Sequence, residues 1–290
     1  MRSRIGRRIL AGYLAVCVLL AVLLAAPAFA SAWIAQLANQ LDRANRAASQ
    51  VLATLALSER WLFGLLLQAA NPSLGSEEHR VASRLLASQV AQRVQAPELV
   101  GAGLSQQVQA LAARCEPAAG ALQASRSGAR PQLAAVLACQ DDLRDQLEAV
   151  REPLEQHTRA GAGRLQAAQR AAWLPGFLRD LARNSQRALR LREAVDVTLQ
   201  FEAAFFQALS SALAHRLGLS GPPAANPARL LERLAHFPEA SAVTGALRKA
   251  ASRAELHLAA QPGPAALQAV AEDARQVLSH LEALRPLLDV

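Results

Sequence analysis

Apolar residues recur along residues 34–65 in alternating steps of three and four positions. Ten positions follow this spacing and form one seam, and nine of them are apolar: Ile34, Leu37, Leu41, Ala44, Ala48, Val51, Leu55, Ser58, Leu62 and Leu65. Such spacing places side chains on a single face of an α-helix. The sequence therefore predicts a long amphipathic helix over 32–68, which ends at Asn71-Pro72 and Gly75.

The same spacing returns after a run rich in Gly, Ser and Ala at 118–131, which is typical of the turn of a helical hairpin. It predicts a long return helix with these positions on one face: Leu133, Val136, Gln140, Leu143, Leu147, Val150, Leu154 and His157. Pro153 is expected to kink or break this helix, because proline lacks an N–H and clashes with the preceding turn. Shorter helices are predicted at 76–95 and 105–113, and Leu174-Pro175-Gly176 marks the clearest boundary.

The second half of the chain repeats this order of elements. Moving the first seam by 144 positions gives a predicted seam in which seven of ten residues are apolar: Leu178, Leu181, Ser185, Ala188, Arg192, Val195, Leu199, Glu202, Phe206 and Leu209. A Gly/Pro loop at 218–227 and short helices near 228–235 and 241–260 follow. A last helix is predicted from about 267 to 288, and its seam again has steps of three and four: Leu267, Val270, Ala274, Val277, Leu281, Leu284 and Leu288. Two loose repeats, 31–174 and 175–290, are predicted, although any helical chain rich in alanine and leucine resembles itself to some degree.

The N-terminus predicts the location of the protein. Residues 1–8 carry four arginines, and residues 9–30 are 22 uncharged, mostly apolar positions. About 20 such residues cross a bilayer as a helix. We expect a cytoplasmic basic N-terminus, a transmembrane anchor at 9–30 in a bacterial inner membrane, and a periplasmic part at 31–290. A cleaved signal peptide is the alternative, since Ala28-Phe29-Ala30 fits a cleavage site, and it too places 31–290 outside the cytoplasm.

Composition agrees with an all-α fold, because the chain is 52% hydrophobic but only 4% aromatic and poor in strand-forming residues. The net charge of +8 comes almost entirely from arginine, yet acidic residues are interleaved throughout, so no nucleic-acid partner is expected. Cys115 and Cys139 flank the hairpin turn and are candidates for a disulfide in an oxidising compartment. Two buried thiols are the alternative.

No pattern in the sequence predicts catalysis. The chain contains no nucleophile-elbow, phosphate-loop or dinucleotide-binding motif, so we expect it not to be an enzyme. Its six histidines (79, 157, 215, 236, 257 and 280) form no pair with metal-ligand spacing, and no cofactor or metal is expected. The in-phase pattern of the last helix reaches Val290, from which we expect the natural chain to continue.

Two charged residues occupy the predicted seam of the second half, Arg192 and Glu202. A charge that faces the interior of a bundle needs a partner, and the carboxylate of a ligand is one such partner for Arg192. Arg192 is thus a candidate ligand-binding residue, with Arg190 beside it; its alternative role is to extend its charged end into water. Glu202 near Phe201, Phe205 and Phe206, and Glu59 near Trp61 and Phe63, belong either to the core or to the wall of a binding cavity.

The segment Ile5-Gly6-Arg7-Arg8-Ile9-Leu10-Ala11-Gly12-Tyr13-Leu14-Ala15-Val16 resembles the first membrane segment of bacterial sensor histidine kinases and chemotaxis receptors. The long helix with Glu-Arg-Trp-Leu-Phe at 59–63, and Glu-Ala-Ala-Phe-Phe at 202–206, are similar to helical bimodular sensor domains. The resemblance implies long antiparallel helices in one or two stacked four-helix bundles, a homodimer in the membrane, and a small metabolite, often a carboxylate, bound between helices. The leading hypothesis is an anchored sensor domain; the alternative is an anchored or secreted periplasmic scaffold that binds partner proteins.

Overall fold

A computed structural model describes residues 2–71, 74, 113, 129–171, 176–221, 225–259 and 263–288. Within these ranges the chain is all-helical, as predicted, with six helices and no strand. They are α1 (Arg2–Ala70), α2 (Ala129–Arg170), α3 (Gly176–Arg216), α4 (Pro227–Leu234), α5 (Ser241–Ala259) and α6 (Pro264–Leu288). The short helices predicted at 76–95 and 105–113 lie outside the described residues, apart from Ala113, which is helical.

Helix α1 confirms the first predicted seam. Nine of its ten positions are buried, and Ala44 is half-buried. Ser58, the polar member, is buried because its hydroxyl donates a hydrogen bond of 2.9 Å to the carbonyl of Leu55, one turn earlier. The helix runs without interruption from Arg2 to Ala70, so the predicted anchor and the seam belong to one element.

The N-terminal helix is long and apolar enough to span a membrane. Among the described residues this criterion is met by the segment Ala28–Ala70, and 83% of its most apolar window is buried inside the protein. The core helix of a protein meets the same criterion of length and composition. The predicted anchor at 9–30 is helical, and most of its side chains lie outside the described part, so the anchor stays a prediction.

Helix α2 continues through Pro153, so the helix does not break there, and the kink expected as the other outcome stays a prediction. Pro153 and Ala149 are both exposed residues, and the Ala149 carbonyl loses its helical partner because proline has no N–H. Buried side chains on both sides, Leu147 before the proline and Leu165 after it, keep the helix in place. The predicted seam is buried from Leu133 to Leu147, whereas His157 is exposed.

Helix α3 shows where the seam transferred by 144 positions is wrong. Leu178, Glu202, Phe206 and Leu209 are buried as predicted, but Leu181 and Ala188 are exposed and Ser185, Arg192, Val195 and Leu199 are only half-buried. The buried face follows these residues instead: Ala182, Ala194, Val197, Phe201 and Phe205. The large rings decide the orientation, since Phe206 lies 5.2 Å from Phe205 and 5.4 Å from Phe63 between ring centroids.

The chain forms two compact units, and each is discontinuous in sequence. Unit 1 comprises Met1–Ala44 and Gln156–Leu189, and unit 2 comprises Asn45–Glu155 and Arg190–Val290. The core of unit 1 contains residues of three helices: Ile34, Leu37 and Leu41 of α1, Leu165 and Ala168 of α2, and Leu178 and Ala182 of α3. These units do not coincide with the two repeats, which stay a prediction.

The core of unit 2 contains residues of all six helices. Its last helix confirms the predicted three-four spacing, because Leu267, Val270, Ala274, Val277, Leu281 and Leu284 are buried. Helix α4 begins where the Gly/Pro loop ends, and the Asn226 side chain caps it by accepting a hydrogen bond from the backbone N–H of Ala228.

Candidate functional site

A buried polar cluster joins α1 to α2 in the core of unit 2. Glu59 of α1 is fully buried, and its Oε1 accepts hydrogen bonds from Arg144 Nη2 at 2.5 Å and Arg144 Nε at 3.1 Å. The Gln140 amide donates to the same Oε1 at 3.2 Å and to Ser58 Oγ at 2.8 Å. Gln140 and Arg144 are four positions apart in α2, so both side chains extend from one face of that helix toward α1.

The electrostatics of this cluster follow from burial. Desolvation raises the pKa of the Glu59 carboxyl above its ordinary value, and the nearby Arg144 only partly opposes this shift. For Arg144, burial acts to lower the pKa, but the carboxylates of Glu59 and Asp141 raise it above its ordinary value. Asp141, which is half-exposed, accepts a hydrogen bond of 2.7 Å from Arg144 Nη1. Arg144 therefore stays charged between two carboxylates.

Two oxygens of the cluster are buried without hydrogen-bond partners in the described part of the protein. They are Glu59 Oε2 and Gln140 Oε1. An unpaired buried acceptor costs free energy, and this cost adds to the burial that raises the pKa of Glu59. The hydrogen bonds of this cluster have defined directions, so they fix the register of α1 against α2. Moving either helix along the other would separate Arg144 from Glu59, the fully buried carboxylate of the cluster.

A second polar contact of unit 2 joins α1 to α3. The Ser49 hydroxyl donates a hydrogen bond of 2.6 Å to Asp196 Oδ1. Burial raises the pKa of Asp196 to about 6, the Ser49 hydrogen bond opposes this rise, and the charge of Glu155 on α2 adds to it. Arg192, one turn before Asp196 on α3, acts to lower the same pKa. Asp196 is thus an acid whose ionisation lies close to neutral pH and depends on its neighbours.

The structure brings one of the three candidate ligand residues close to this contact. Arg192 is half-buried on α3 and its charge acts on Asp196, whereas Arg190 is exposed. Glu202 is buried beside the aromatic residues of the core. Arg192 and Glu202 are ten positions apart, or about 15 Å along the helix, so one small ligand group does not touch both.

The remaining candidates have different outcomes. Cys139 is buried in α2, but Cys115 lies outside the described residues, so the disulfide stays a prediction. No group of three or more His, Cys, Asp or Glu side chains is placed to hold a metal ion within the described ranges. His257 of α5 instead lies 3.0 Å from buried Asp273 of α6, whose other oxygen lies 3.1 Å from Arg253 Nε.

Sequence reasoning missed Arg144, Asp196 and Asp273 as members of polar contacts. Arg144 carried a usable signal, because it lies four positions after Gln140, a polar member of an otherwise mostly apolar seam. Asp273 directly precedes Ala274 of the last seam, so it lies at the edge of the buried face. Asp196 lies outside the seam that was transferred by 144 positions. Because that seam does not match the buried face of α3, it gave no indication that Asp196 contacts α1.

The chain was compared with protein-family models, with curated proteins and with solved structures, and no match was found in any of the three comparisons.

Proposed function

We propose that this protein is a membrane-anchored helical sensor domain that lies in the periplasm, binds a small anionic metabolite in unit 2 and transmits a helix displacement across the bacterial inner membrane. The observation that carries the proposal is the continuity of α1 from Arg2 to Ala70. The apolar N-terminal segment and the polar-contact residues Ser49 and Glu59 belong to this one helix. A displacement of α1 in unit 2 therefore moves the segment that enters the membrane. Receptors of the chemotaxis and histidine-kinase type, working as homodimers, use such an arrangement.

The two polar contacts of α1 differ in strength, which decides where a ligand acts. The contact of α1 with α2 is a buried ion pair with two hydrogen bonds from Arg144 to Glu59. The contact of α1 with α3 is one hydrogen bond from Ser49 to Asp196, whose pKa is about 6. Because the second contact changes with the ionisation of one carboxyl near neutral pH, it is the one that a ligand alters.

Arg192 connects a ligand to this contact. Its guanidinium acts to lower the pKa of Asp196. A ligand carboxylate that binds Arg192 neutralises this charge, raises the pKa of Asp196 further and leads to its protonation. A protonated Asp196 is a weaker acceptor for Ser49, so the liganded protein prefers a different position of α1 against α3. Exposed Arg190, two positions away, adds positive charge outside the site and attracts anions.

A thermal-shift screen of small mono- and dicarboxylates, on the full chain in nanodiscs near neutral pH, tests the proposal. We expect at least one carboxylate to raise the melting temperature, because a ligand that binds only the folded state stabilises it. Arg192→Ala should abolish this shift. Arg187→Ala, an exposed arginine of the same helix, should leave it unchanged. Calorimetry in buffers of different ionisation enthalpy should show proton uptake on binding that disappears in Asp196→Asn.

Two results contradict the proposal in distinguishable ways. Equal thermal shifts in the wild type and in Arg192→Ala show that the ligand binds elsewhere. Absence of any stabilising carboxylate, with partner proteins that co-purify with the anchored chain, favours the scaffold function instead.

A further inference from the structure

Positive charge is distributed unevenly between the two units. Outside the N-terminal 30 residues, unit 1 consists of 31–44 and 156–189 and contains seven arginines against two aspartates, a net charge of +5. Unit 2 contains 20 basic and 21 acidic residues, a net charge of −1. These seven arginines of unit 1 are all exposed: Arg43, Arg159, Arg164, Arg170, Arg179, Arg183 and Arg187. Outside the N-terminal 30 residues, unit 1 is therefore strongly basic, whereas unit 2 is nearly neutral.

Unit 1 also exposes large apolar side chains, in two pairs. Phe29 and Trp33 lie one turn apart on α1 and are 75% and 49% exposed. Phe177 and Leu181 lie one turn apart on α3 and are 62% and 40% exposed. Each pair has its two residues four positions apart, so each forms a short apolar stripe on one helix face. Aromatic side chains with polar neighbours are typical of the membrane–water interface.

The core of unit 1 places these groups close to the apolar N-terminal segment. Ala30, the last residue of that segment, packs against the cluster that contains Ala168, Leu178 and Ala182. Three of the exposed arginines lie within one or two positions of those core residues: Arg170, Arg179 and Arg183. The end of α2 and the start of α3 thus lie beside the point where α1 leaves the predicted anchor.

We propose that unit 1 docks on anionic lipid headgroups of the membrane in which α1 is anchored, through Arg170, Arg179 and Arg183 and the apolar pair Phe177 and Leu181. Arginine binds phosphate with two parallel hydrogen bonds, which suits phosphodiester headgroups. Charges within about 8–10 Å of the surface are attracted by anionic lipid, and the attraction weakens with salt. The inference depends on the membrane anchor of the proposed function but not on its ligand. Docking would hold α3 at the membrane while α1 moves.

Hydrogen exchange of the first turns of α3, measured by mass spectrometry on the full chain, tests this docking. The first amides of a helix have no intrahelical acceptor and report on access of water. One chain per nanodisc is compared in phosphatidylcholine and in phosphatidylcholine mixed with phosphatidylglycerol. We expect exchange over 176–183 to be at least about fivefold slower in the anionic discs, and this difference to disappear at high salt.

Three variants make the test specific. Changing Arg170, Arg179 and Arg183 together to Gln should remove the protection, and changing the same three to Lys should retain most of it. The matched control changes three exposed arginines of unit 2, Arg229, Arg248 and Arg275, to Gln and should leave the protection unchanged. The Lys variant keeps the test informative if the Gln variant does not fold.

The contrary outcomes separate this inference from the proposed function. Equal exchange in both lipids overturns the docking, and so does protection that requires two chains per disc, since a second copy then covers the surface. If alkaline extraction releases the chain from the membrane, the anchor itself is wrong and both proposals fail. If the chain stays integrated and its carboxylate response persists without lipid-dependent protection, only the docking is wrong.

Discussion

Gly161 of α2 lies directly against Leu41 of α1 in the core of unit 1. A Cβ at position 161 would lie 2.9 Å from Leu41 Cγ and 3.0 Å from Cδ1, and closer still to Cδ2. Leu41 is fully buried, and protein interiors are close-packed, so a methyl group at position 161 would force its side chain to shift against its neighbours. The absence of a side chain at 161 thus permits the two helices to approach each other.

Replacing Gly161 by alanine is expected to destabilise the protein by about 1–3 kcal/mol, because the added methyl group overpacks the contact with Leu41. Gly163→Ala is the matched control. Gly163 is exposed in the same helix, and a Cβ there meets nothing within 4 Å. It should stabilise the protein by about 0.5–1 kcal/mol, since alanine has the higher helix propensity. Urea unfolding of the full chain in detergent, followed by circular dichroism, measures both; effects of the same sign would contradict the close approach.

Removing Glu59 is expected to be among the most destabilising single changes in unit 2. Glu59→Ala leaves the buried guanidinium of Arg144 without its buried partner and should cost about 3–5 kcal/mol of unfolding free energy. Asp141→Ala removes the other partner of Arg144. Because the Asp141 side chain is 45% exposed, this change should cost about 1 kcal/mol or less of unfolding free energy. The double variant Glu59→Leu with Arg144→Leu should recover much of the loss, because no charge then stays buried. Equal costs of the two single changes would show that the buried pair has no special role.

Pro153→Ala is expected to stabilise the protein by about 1–3 kcal/mol. Alanine restores the hydrogen bond to the carbonyl of Ala149 and removes the clash with it, although the more flexible unfolded chain offsets part of the gain. Pro264→Ala is the control, because Pro264 is the first residue of α6, where an N–H has no intrahelical acceptor. This change should not stabilise the protein. A thermal unfolding comparison of the two variants is sufficient, and a destabilised Pro153→Ala would indicate that the helix requires a bend there.

The periodicity of the sequence predicted the helices that fill their inward positions with aliphatic residues. The seams of α1 and α6 are buried as predicted, since each Leu, Ile or Val contributes in proportion to its buried area. Helix α3 differs because Phe201 and Phe205 compete with Val195 and Leu199 for the core, and the larger rings take the most buried positions. Spacing alone gives no weight to side-chain size.

The polar contacts were less accessible to prediction for a different reason. Glu59 and Arg144 are 85 positions apart in sequence, and their pairing depends on the register of α1 against α2. Periodicity indicates which face of each helix is buried, but it does not indicate which residues of two faces meet. The same holds for Ser49 and Asp196, which are 147 positions apart.

Asp196 is expected to make stability depend on pH in the direction opposite to that of a salt-bridged acid. Its pKa is about 6 in the folded protein, against an ordinary value of 3.8 in the unfolded chain. Between these values the folded protein binds a proton that the unfolded chain has released, so stability falls as the pH rises through this window. This difference in pKa corresponds to at most about 3 kcal/mol of unfolding free energy. The folded protein is more stable by this amount below about pH 4 than above the folded pKa, where Asp196 is ionised in both states.

Asp196→Asn should therefore stabilise the protein by about 1–3 kcal/mol near neutral pH and change it little near pH 4, because asparagine removes the charge but retains an acceptor for Ser49. Unfolding free energies of the wild type and the variant, measured at intervals between these pH values, should diverge as the pH rises. Ser49→Ala serves as the control, since it removes the hydrogen bond that opposes the rise in the pKa of Asp196. In this variant the fall in stability should therefore continue to a higher pH than in the wild type. Parallel pH profiles of the wild type and Asp196→Asn would show that Asp196 ionises normally, and the link from Arg192 to the α1–α3 contact would then lose its physical basis.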